Sequence, residues 1–227
     1  MIYLDDIKKD PRIMALIEGA HRIMQVRGYT EHGLRHVGYV SQTAGEILRQ
    51  LDYDDRSCEI AAIAGWVHDI GNSINRLNHG ISGAQLLFPI LLDIGMDFQE
   101  TLEIISAVGN HEEQNGMPVS AVSSALIIAD KSDAHRTRVN KRSFNLQDIH
   151  DRVNYSIKKN WLNVDKEDRI IRFGILMDDS SSVMEYMQIF LSRMVMCEQA
   201  AAFLGCTFDL EVNGVVINNQ TKMKEKL

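Results

Sequence analysis

A chain of 227 residues, 45% of them apolar, is long enough to bury a substantial hydrophobic core. Its net charge of −7 argues against a polynucleotide partner, because binding a nucleic-acid backbone requires a basic surface. Three cysteines are too few for a disulfide framework, so we expect a reducing, cytoplasmic setting. The sequence has neither a signal-peptide pattern nor an apolar run approaching the roughly 20 residues of a membrane span, so no membrane partner is expected.

The first two thirds of the chain show apolar residues at helical spacing. Asp54 or Asp55 is expected to cap one helix, and Asp97, with Glu100 three residues later, resembles a capping box that starts another. Gly71 is expected to follow the helix that ends with His68 and Asp69. The predicted helices cover residues 12–25, 36–51, 55–69, 79–95, 98–111, 120–132 and 146–159.

The pattern changes near residue 164. Residues 169–177 predict a strand, residues 208–217 a strand or hairpin, and residues 181–204 an apolar helix between them. We therefore expect a mostly α fold with a small C-terminal β-α-β appendage, divided into a helical domain (1–160) and a strand-helix-strand subdomain (161–227). The methionines of the apolar helix are expected to pack in the core, with a homodimer face as the alternative.

Histidine and aspartate residues are concentrated at the ends of the predicted helices. Asp69 and Asp130 each follow an apolar run, where a buried carboxylate is costly unless it is paired or binds a metal. Imidazole and carboxylate ligands together suit Zn, Mn or Fe. The candidate ligands are His36, His68, Asp69, His79, His111 and Asp130.

Four of these residues occur in a recognisable order. His36, the adjacent pair His68–Asp69, and Asp130 resemble the H…HD…D signature of the HD superfamily of metal-dependent phosphohydrolases. The resemblance covers about residues 32–138. It implies an HD-domain helical bundle and hydrolysis of a phosphate ester or anhydride.

The resemblance extends to the branches of that superfamily that bind two metals. His79 and His111 match their two further histidines, and the segments HGISGA and IADKSDAHR are similar to parts of HD-type diadenosine tetraphosphate hydrolases. Asn72 stands where many HD hydrolases carry lysine. This difference weakens the expectation that the protein acts on the same dinucleotide substrate. The family pattern implies two divalent ions (Fe, Mn or Zn) that activate water and clamp the phosphoryl group. In that pattern Asp69 bridges the ions, His36, His68 and Asp130 complete one, and His79 and His111 hold the other.

Several neighbours are assigned secondary roles. Asp69, through the metals, and His32, as an acid, are the catalytic candidates, the alternative for His32 being a surface role. Asp133 is expected to orient a ligand or an arginine. Glu112 and Glu113 are expected in a solvated loop, the alternative being that they support the metal ligands beside His111. Lys131, Arg136 and Arg138 are expected to bind substrate phosphate, the alternative being a solvated helix end.

Three functions remain open at this stage. The leading hypothesis is a phosphohydrolase acting on a nucleotide or another small phosphorylated metabolite. An HD-type di-iron oxygenase uses the same ligands, and a non-catalytic sensor would bind its ligand without turnover. The basic residues beside Asp130, in an otherwise acidic chain, favour a phosphate substrate.

Overall fold

The protein is mostly helical, with a small sheet in its C-terminal part. The structure is a computed structural model, and it describes residues 1–139 and 144–218. Its α-helices are α1 (Leu4–Lys9), α2 (Pro11–Val26), α3 (Leu34–Gln50), α4 (Asp55–Val67), α5 (His79–Asp93), α6 (Phe98–Gly109), α7 (Ala121–Lys131), α8 (Ile149–Ser156) and α9 (Val183–Phe203).

The four strands form one sheet in the order β1-β2-β3-β4. The central pair, β2 and β3, is parallel and is connected through α9, whereas β1 and β4 pair antiparallel with their neighbours. This arrangement confirms the predicted strand-helix-strand order. The strands are β1 (Ile157–Asp165), β2 (Ile170–Met177), β3 (Thr207–Val212) and β4 (Val215–Val216).

Helix starts follow the capping residues that the sequence predicts. The Asp54 side chain accepts a hydrogen bond from the backbone of Ser57 at the start of α4. Asp97 accepts the amides of Gln99 and Glu100 at the start of α6. The Glu100 side chain does not complete a capping box, because it forms an ion pair with Arg56 instead.

Two helix ends and one short helix differ from the prediction. The helix expected over residues 146–159 ends at Ser156, and the following residues form β1. That strand is held by antiparallel pairing with β2, a contact between separate chain segments that local periodicity does not reveal. The short α1 was not predicted. Helix α4 ends at Val67, so His68 and Asp69 lie in the turn before a 3₁₀ segment, Ile70–Ser73.

The sheet and the helical part share a hydrophobic core. Helix α3 packs against α4 and α7, and α7 also contacts α9, which covers the sheet. Buried residues of both parts belong to one continuous apolar cluster, from Ile13 in α2 to Phe208 in β3. The division expected at residue 160 stays a prediction.

Helix α9 is 21 residues long and contributes to that core. Met194 and Met196 are buried, whereas Met184 is 78% exposed. Met187 is partly buried and packs against the same core, so core packing accounts for three of the four methionines and not for Met184. No helix in the described ranges is both long and apolar enough to cross a membrane.

Candidate metal centre

The six candidate ligands meet where the ends of five helices converge. Five of their side chains are buried, and the Asp130 carboxylate is 14% exposed. Helix ends bring them together because each residue lies in the first or last turn of a helix, or directly after one. His36 lies in the first turn of α3, His68 and Asp69 follow α4, His79 begins α5, His111 follows α6, and Asp130 lies in the last turn of α7.

Asp69 lies at the middle of the cluster and presents its two oxygens to different histidines. Its Oδ2 is 3.5 Å from Nε2 of His36 and 3.6 Å from Nε2 of His68. Its Oδ1 is 3.2 Å from Nε2 of His79, and the Nε2 atoms of His79 and His111 are 3.0 Å apart. A carboxylate in this position has the geometry needed to bridge two cations.

Asp130 completes the other side of the cluster. Its Oδ1 is 3.4 Å from Nε2 of His36 and 3.6 Å from Nε2 of His68. His36, His68 and Asp130 offer ligand atoms that all lie within 4.8 Å of one another, and so do His68, Asp69 and His111. Each group can hold a metal ion.

The second ring nitrogen of each histidine is engaged by the protein. When Nδ1 carries the proton and donates it, the lone pair of Nε2 is left for a metal. Three of the acceptors are backbone carbonyls three residues earlier in the chain, and the fourth is a carboxylate. The pairs are His68 with Gly65 O at 2.9 Å, His79 with Arg76 O at 3.0 Å, His111 with Val108 O at 2.6 Å, and His36 with Asp133 Oδ2 at 2.6 Å.

Three polar atoms at the centre are buried without a hydrogen-bond partner: Nε2 of His36, Nε2 of His68 and Oδ2 of Asp69. A buried polar atom without a partner costs about 1–3 kcal/mol, and more if it is charged. All three atoms face one another, so a single cation between them would satisfy all three. These three unpartnered ligand atoms are the reason why the residues of the cluster fit a divalent metal ion.

The electrostatics of the cluster also favour a cation. Burial and nearby Arg138 lower the pKa of His36, but contacts with the carboxylates of Asp130, Asp133 and Asp69 outweigh them and raise it to about 10. Burial opposes ionisation of Asp69, yet the surrounding histidines hold the pKa of its carboxyl well below its usual range. The carboxylates therefore attract positive charge, which a metal ion supplies once the imidazoles are neutral.

Two glycines allow the backbone segments to approach closely enough to build the cluster. A Cβ on Gly65 would lie 2.7 Å from the Ser41 Cα, so this glycine lets α4 contact α3 and brings His68 towards His36. A Cβ on Gly71 would overlap the carbonyl oxygen of His79. Gly71 thus places the start of α5 beside Asp69.

Asp133 lies where an orienting carboxylate is expected. Its Oδ2 accepts the hydrogen bond from His36 Nδ1, and Arg35 binds both of its oxygens at 2.7 and 3.1 Å. Burial raises the pKa of Asp133, but Arg138 and His36 outweigh it and keep the carboxyl ionised. The ring of His36 is thereby fixed by a charged group outside the cluster.

The three predicted phosphate-binding cations lie in different places. The Lys131 ammonium lies 2.7 Å from Asp130 Oδ2 and 3.1 Å from Glu113. Arg138 is buried and donates to the backbone oxygens of Glu31 and Asp133. Both line a cleft above the metal centre, whereas Arg136 does not line it. Arg136 instead pairs with Asp178 at 2.8 Å and lies over the ring of Tyr155.

The cleft has a volume of about 500 Å³, and Asp69, His79 and Asp130 lie in its wall. His32 also lines it, with Nδ1 2.6 Å from the Thr30 oxygen. Burial lowers the pKa of His32 well below its ordinary value, so the ring is neutral. With Nδ1 as the donor, Nε2 is an acceptor, which suits a base rather than the acid expected from the sequence.

The prediction of a solvated loop at Glu112 and Glu113 is wrong. Glu112 is 7% exposed, and its Oε1 lies 3.1 Å from Nδ1 of His79. Burial raises the pKa of Glu113, but Lys131 and Arg193 outweigh it and lower the value to about 2. Their position directly after His111 was the available signal, and it did not show that the loop folds back over the cluster.

Two further residues at the site were not predicted to take part. Asn72 donates from Nδ2 to Asp69 Oδ1 at 2.8 Å, which orients the central carboxylate. Arg76 lies 3.3 Å from His79 Nε2 and lines the cleft. Arg76 lies three residues before His79 in the sequence, but this spacing matches no motif that would have predicted a role for it.

Comparisons with known proteins give two distant relatives. The chain is 31% identical to Ribonuclease Y of Lawsonia intracellularis over 102 residues, which is 45% of this chain and 18% of that protein. It is 26% identical over 161 residues to an uncharacterized protein of Methanocaldococcus jannaschii, covering 61% of each chain. The chain thus spans less than two thirds of either relative. No family model and no solved structure matches.

Proposed function

We propose that this protein is an HD-type metal-dependent phosphohydrolase that cleaves a phosphate ester or anhydride of a small substrate. The observation that carries the proposal is the convergence of unpartnered ligand atoms on His36, His68 and Asp69 at the base of a cleft. The order of these residues in the chain, and the similarity to a protein named a ribonuclease, support the same chemistry.

The proposal assigns two divalent ions to the cluster, of Fe, Mn or Zn. His36, His68 and Asp130 hold one, and His79 and His111 hold the other. The two oxygens of Asp69 face these two sets of histidines, which supports its role as the bridge. Such ions lower the pKa of bound water and stabilise the charge of the transferring phosphoryl group.

The protein's own residues prepare this site for reaction. Asp133 holds the His36 ring, Asn72 holds the Asp69 carboxylate, and Glu112 supports His79. These contacts fix the ligands before substrate binds, so little reorganisation is required during the reaction. His32 can accept a proton or a hydrogen bond at Nε2 on the cleft side of the centre.

A ribonuclease is the second candidate, and the relative named Ribonuclease Y is the observation in its favour. A net charge of −7 opposes it, because an RNA backbone needs a basic surface. We therefore propose a small phosphorylated substrate, handled in the cytoplasm, and keep RNA as an outcome of the test.

The test is a panel of nucleotides, sugar phosphates and a short RNA, incubated with protein loaded with Mn or Fe, first under argon and then in air. Hydrolysis should be equal in both atmospheres and should release phosphate or a nucleoside monophosphate. Turnover only in air, with oxygen consumed, would identify an oxygenase. Cleavage of RNA alone would identify the ribonuclease, and metal binding without turnover would identify a sensor.

A further inference from the structure

Among residues 1–139 and 144–218, five cationic side chains line the cleft, and three of them pair with carboxylates of the protein. Lys131 pairs with Asp130 and Glu113, Arg193 with Glu113, and Arg138 with Asp133. The carboxylates of the protein offset the charge of these three cations, so their attraction for an anionic ligand is reduced. The five are Arg27, Arg76, Lys131, Arg138 and Arg193.

Arg27 and Arg76 differ from the other three. Within residues 1–139 and 144–218, neither has a carboxylate at ion-pair distance. Arg27 donates to the Asn75 side-chain oxygen at 3.2 Å, and Arg76 lies 3.5 Å from the Asn72 side-chain oxygen. Two guanidinium groups that line a cleft with only neutral partners are suited to bind an anion from solution.

The two arginines lie at different distances from the metal centre. Arg76 is 3.3 Å from His79 Nε2, a nitrogen that we assign to a metal, so metal binding would remove this acceptor and free the N–H group. Arg27 is exposed at the end of α2 and is held by Asn75, the residue next to Arg76. The pair therefore extends from the metal centre towards the mouth of the cleft.

We propose that Arg76 and Arg27 form an anion subsite for two adjacent phosphate groups, which selects phosphoanhydrides over phosphomonoesters. This proposal rests on the proposed function. Arg76 contacts the phosphoryl group at the metal centre, and Arg27 contacts the next phosphate outwards.

Two aspartates that also line the cleft favour a small substrate over an anionic polymer. Asp148 and Asp151 line the cleft near the start of α8. Their carboxylates accept backbone amides, from His150 and Asn145 respectively, and so remain acceptors that repel further negative charge. The negative charge of these two carboxylates disfavours a long polyanion more than a diphosphate that is bound by two arginines.

The experiment measures binding and does not need turnover. Calorimetric titration of metal-loaded protein with methylenediphosphonate and with methylphosphonate should show at least about tenfold tighter binding of the diphosphonate, as expected for one added charge-assisted contact. Arg27→Gln should abolish that preference and leave methylphosphonate binding unchanged. Arg76→Gln should weaken both ligands about tenfold or more. Arg22→Gln, on an exposed face of α2, is the matched control and should change neither affinity.

Equal affinity of wild-type protein for the two phosphonates would overturn the subsite, and so would an Arg27→Gln variant that keeps the preference. Failure to bind either ligand would overturn it as well. Metal content is measured before each titration, and hydrolysis is measured separately with pyrophosphate and a phosphomonoester. A diphosphonate preference without hydrolysis would contradict the proposed function while leaving the subsite in place.

Discussion

Two buried regions of this protein differ in whether their side chains find partners within the protein. Between β2, β3 and α9, the largest fully buried side chains are Phe173, Phe208 and Tyr186, which pack against other apolar groups. At the convergence of the helix ends, the buried side chains are histidines and aspartates, and His68 and Asp69 each have an unpartnered atom.

The difference shows what each region requires. Burial of apolar surface is favourable by itself, at roughly 25 cal/mol per Å². Burial of imidazole and carboxylate is costly until a partner is supplied. The C-terminal core is therefore complete as folded, whereas the histidine–aspartate cluster would be completed by a cation.

Replacement of Asp69 by alanine should have the largest effect. It removes the carboxylate that faces both sets of histidines, so the cations would lose their shared charge compensation. Metal content should fall well below wild type, and the rate of hydrolysis should fall about a thousandfold, since metal ions contribute several kcal/mol. Elemental analysis and phosphate release measure the two quantities. Asp179→Ala, an exposed carboxylate of the C-terminal part, is the control, and full metal retention by Asp69→Ala would rule out the bridge.

Replacement of His79 or His111 by alanine should have a partial effect. His79 lies against Oδ1 of Asp69 and His111 lies beside His79, so we expect one metal to be lost and the other kept. Metal analysis should show about one equivalent per chain instead of two, with an unchanged circular dichroism spectrum. Saturation of wild-type protein at one equivalent of Fe, Mn and Zn alike would contradict the two-metal proposal.

Two glycine-to-alanine substitutions, one beside the histidine–aspartate cluster and one in the sheet, should lower the free energy of unfolding by different amounts. Gly65→Ala places its Cβ against the backbone of Ser41, which cannot move aside easily, so it should cost about 1–3 kcal/mol and lower the metal content. Gly174→Ala in β2 meets the half-buried side chain of Trp161, which can rotate, so it should cost less and leave the metal content unchanged. Denaturant unfolding measures both variants. A larger loss of stability in Gly174→Ala than in Gly65→Ala would contradict this expectation.

The smallest effect is expected from Arg136→Ala. Arg136 pairs with Asp178 beyond the end of β2 and does not line the cleft, so kcat/KM should stay within about twofold of wild type. The half-exposed ion pair contributes only about 0–1 kcal/mol, so stability should also change little. A tenfold loss of kcat/KM at unchanged metal content would restore Arg136 to the substrate site, as the sequence suggested.

Much of the helical part could be predicted from the sequence, because its apolar spacing and its caps are local. Asp54, Asp97 and Ser120 each begin the helix that follows them, as predicted. Strand β1 was missed because its pairing with β2 is a tertiary contact, and its own residues alternate only weakly between buried and exposed.

The candidate ligands were identified from their order along the chain, and the structure brings all six together. Among the supporting residues Asp133 was identified, but its partner Arg35 and the contacts of Arg193 were not, because contacts between distant segments place them. Arg35 binds Asp133, which is 98 residues away in the sequence, and Arg193 binds Glu113, which is 80 residues away. No local spacing encodes such pairs, and the burial of Glu112 likewise depends on how the loop after α6 folds over α5.

The central claim is that the histidine–aspartate cluster binds metal, and anomalous X-ray scattering tests it most directly. Crystals of protein purified without added metal should show two anomalous peaks, one among His36, His68 and Asp130 and one beside His79 and His111, with Asp69 between them. Absorption edges should identify the metal as Fe, Mn or Zn. A cluster without any anomalous peak, in protein that also takes up no metal from solution, would contradict the account.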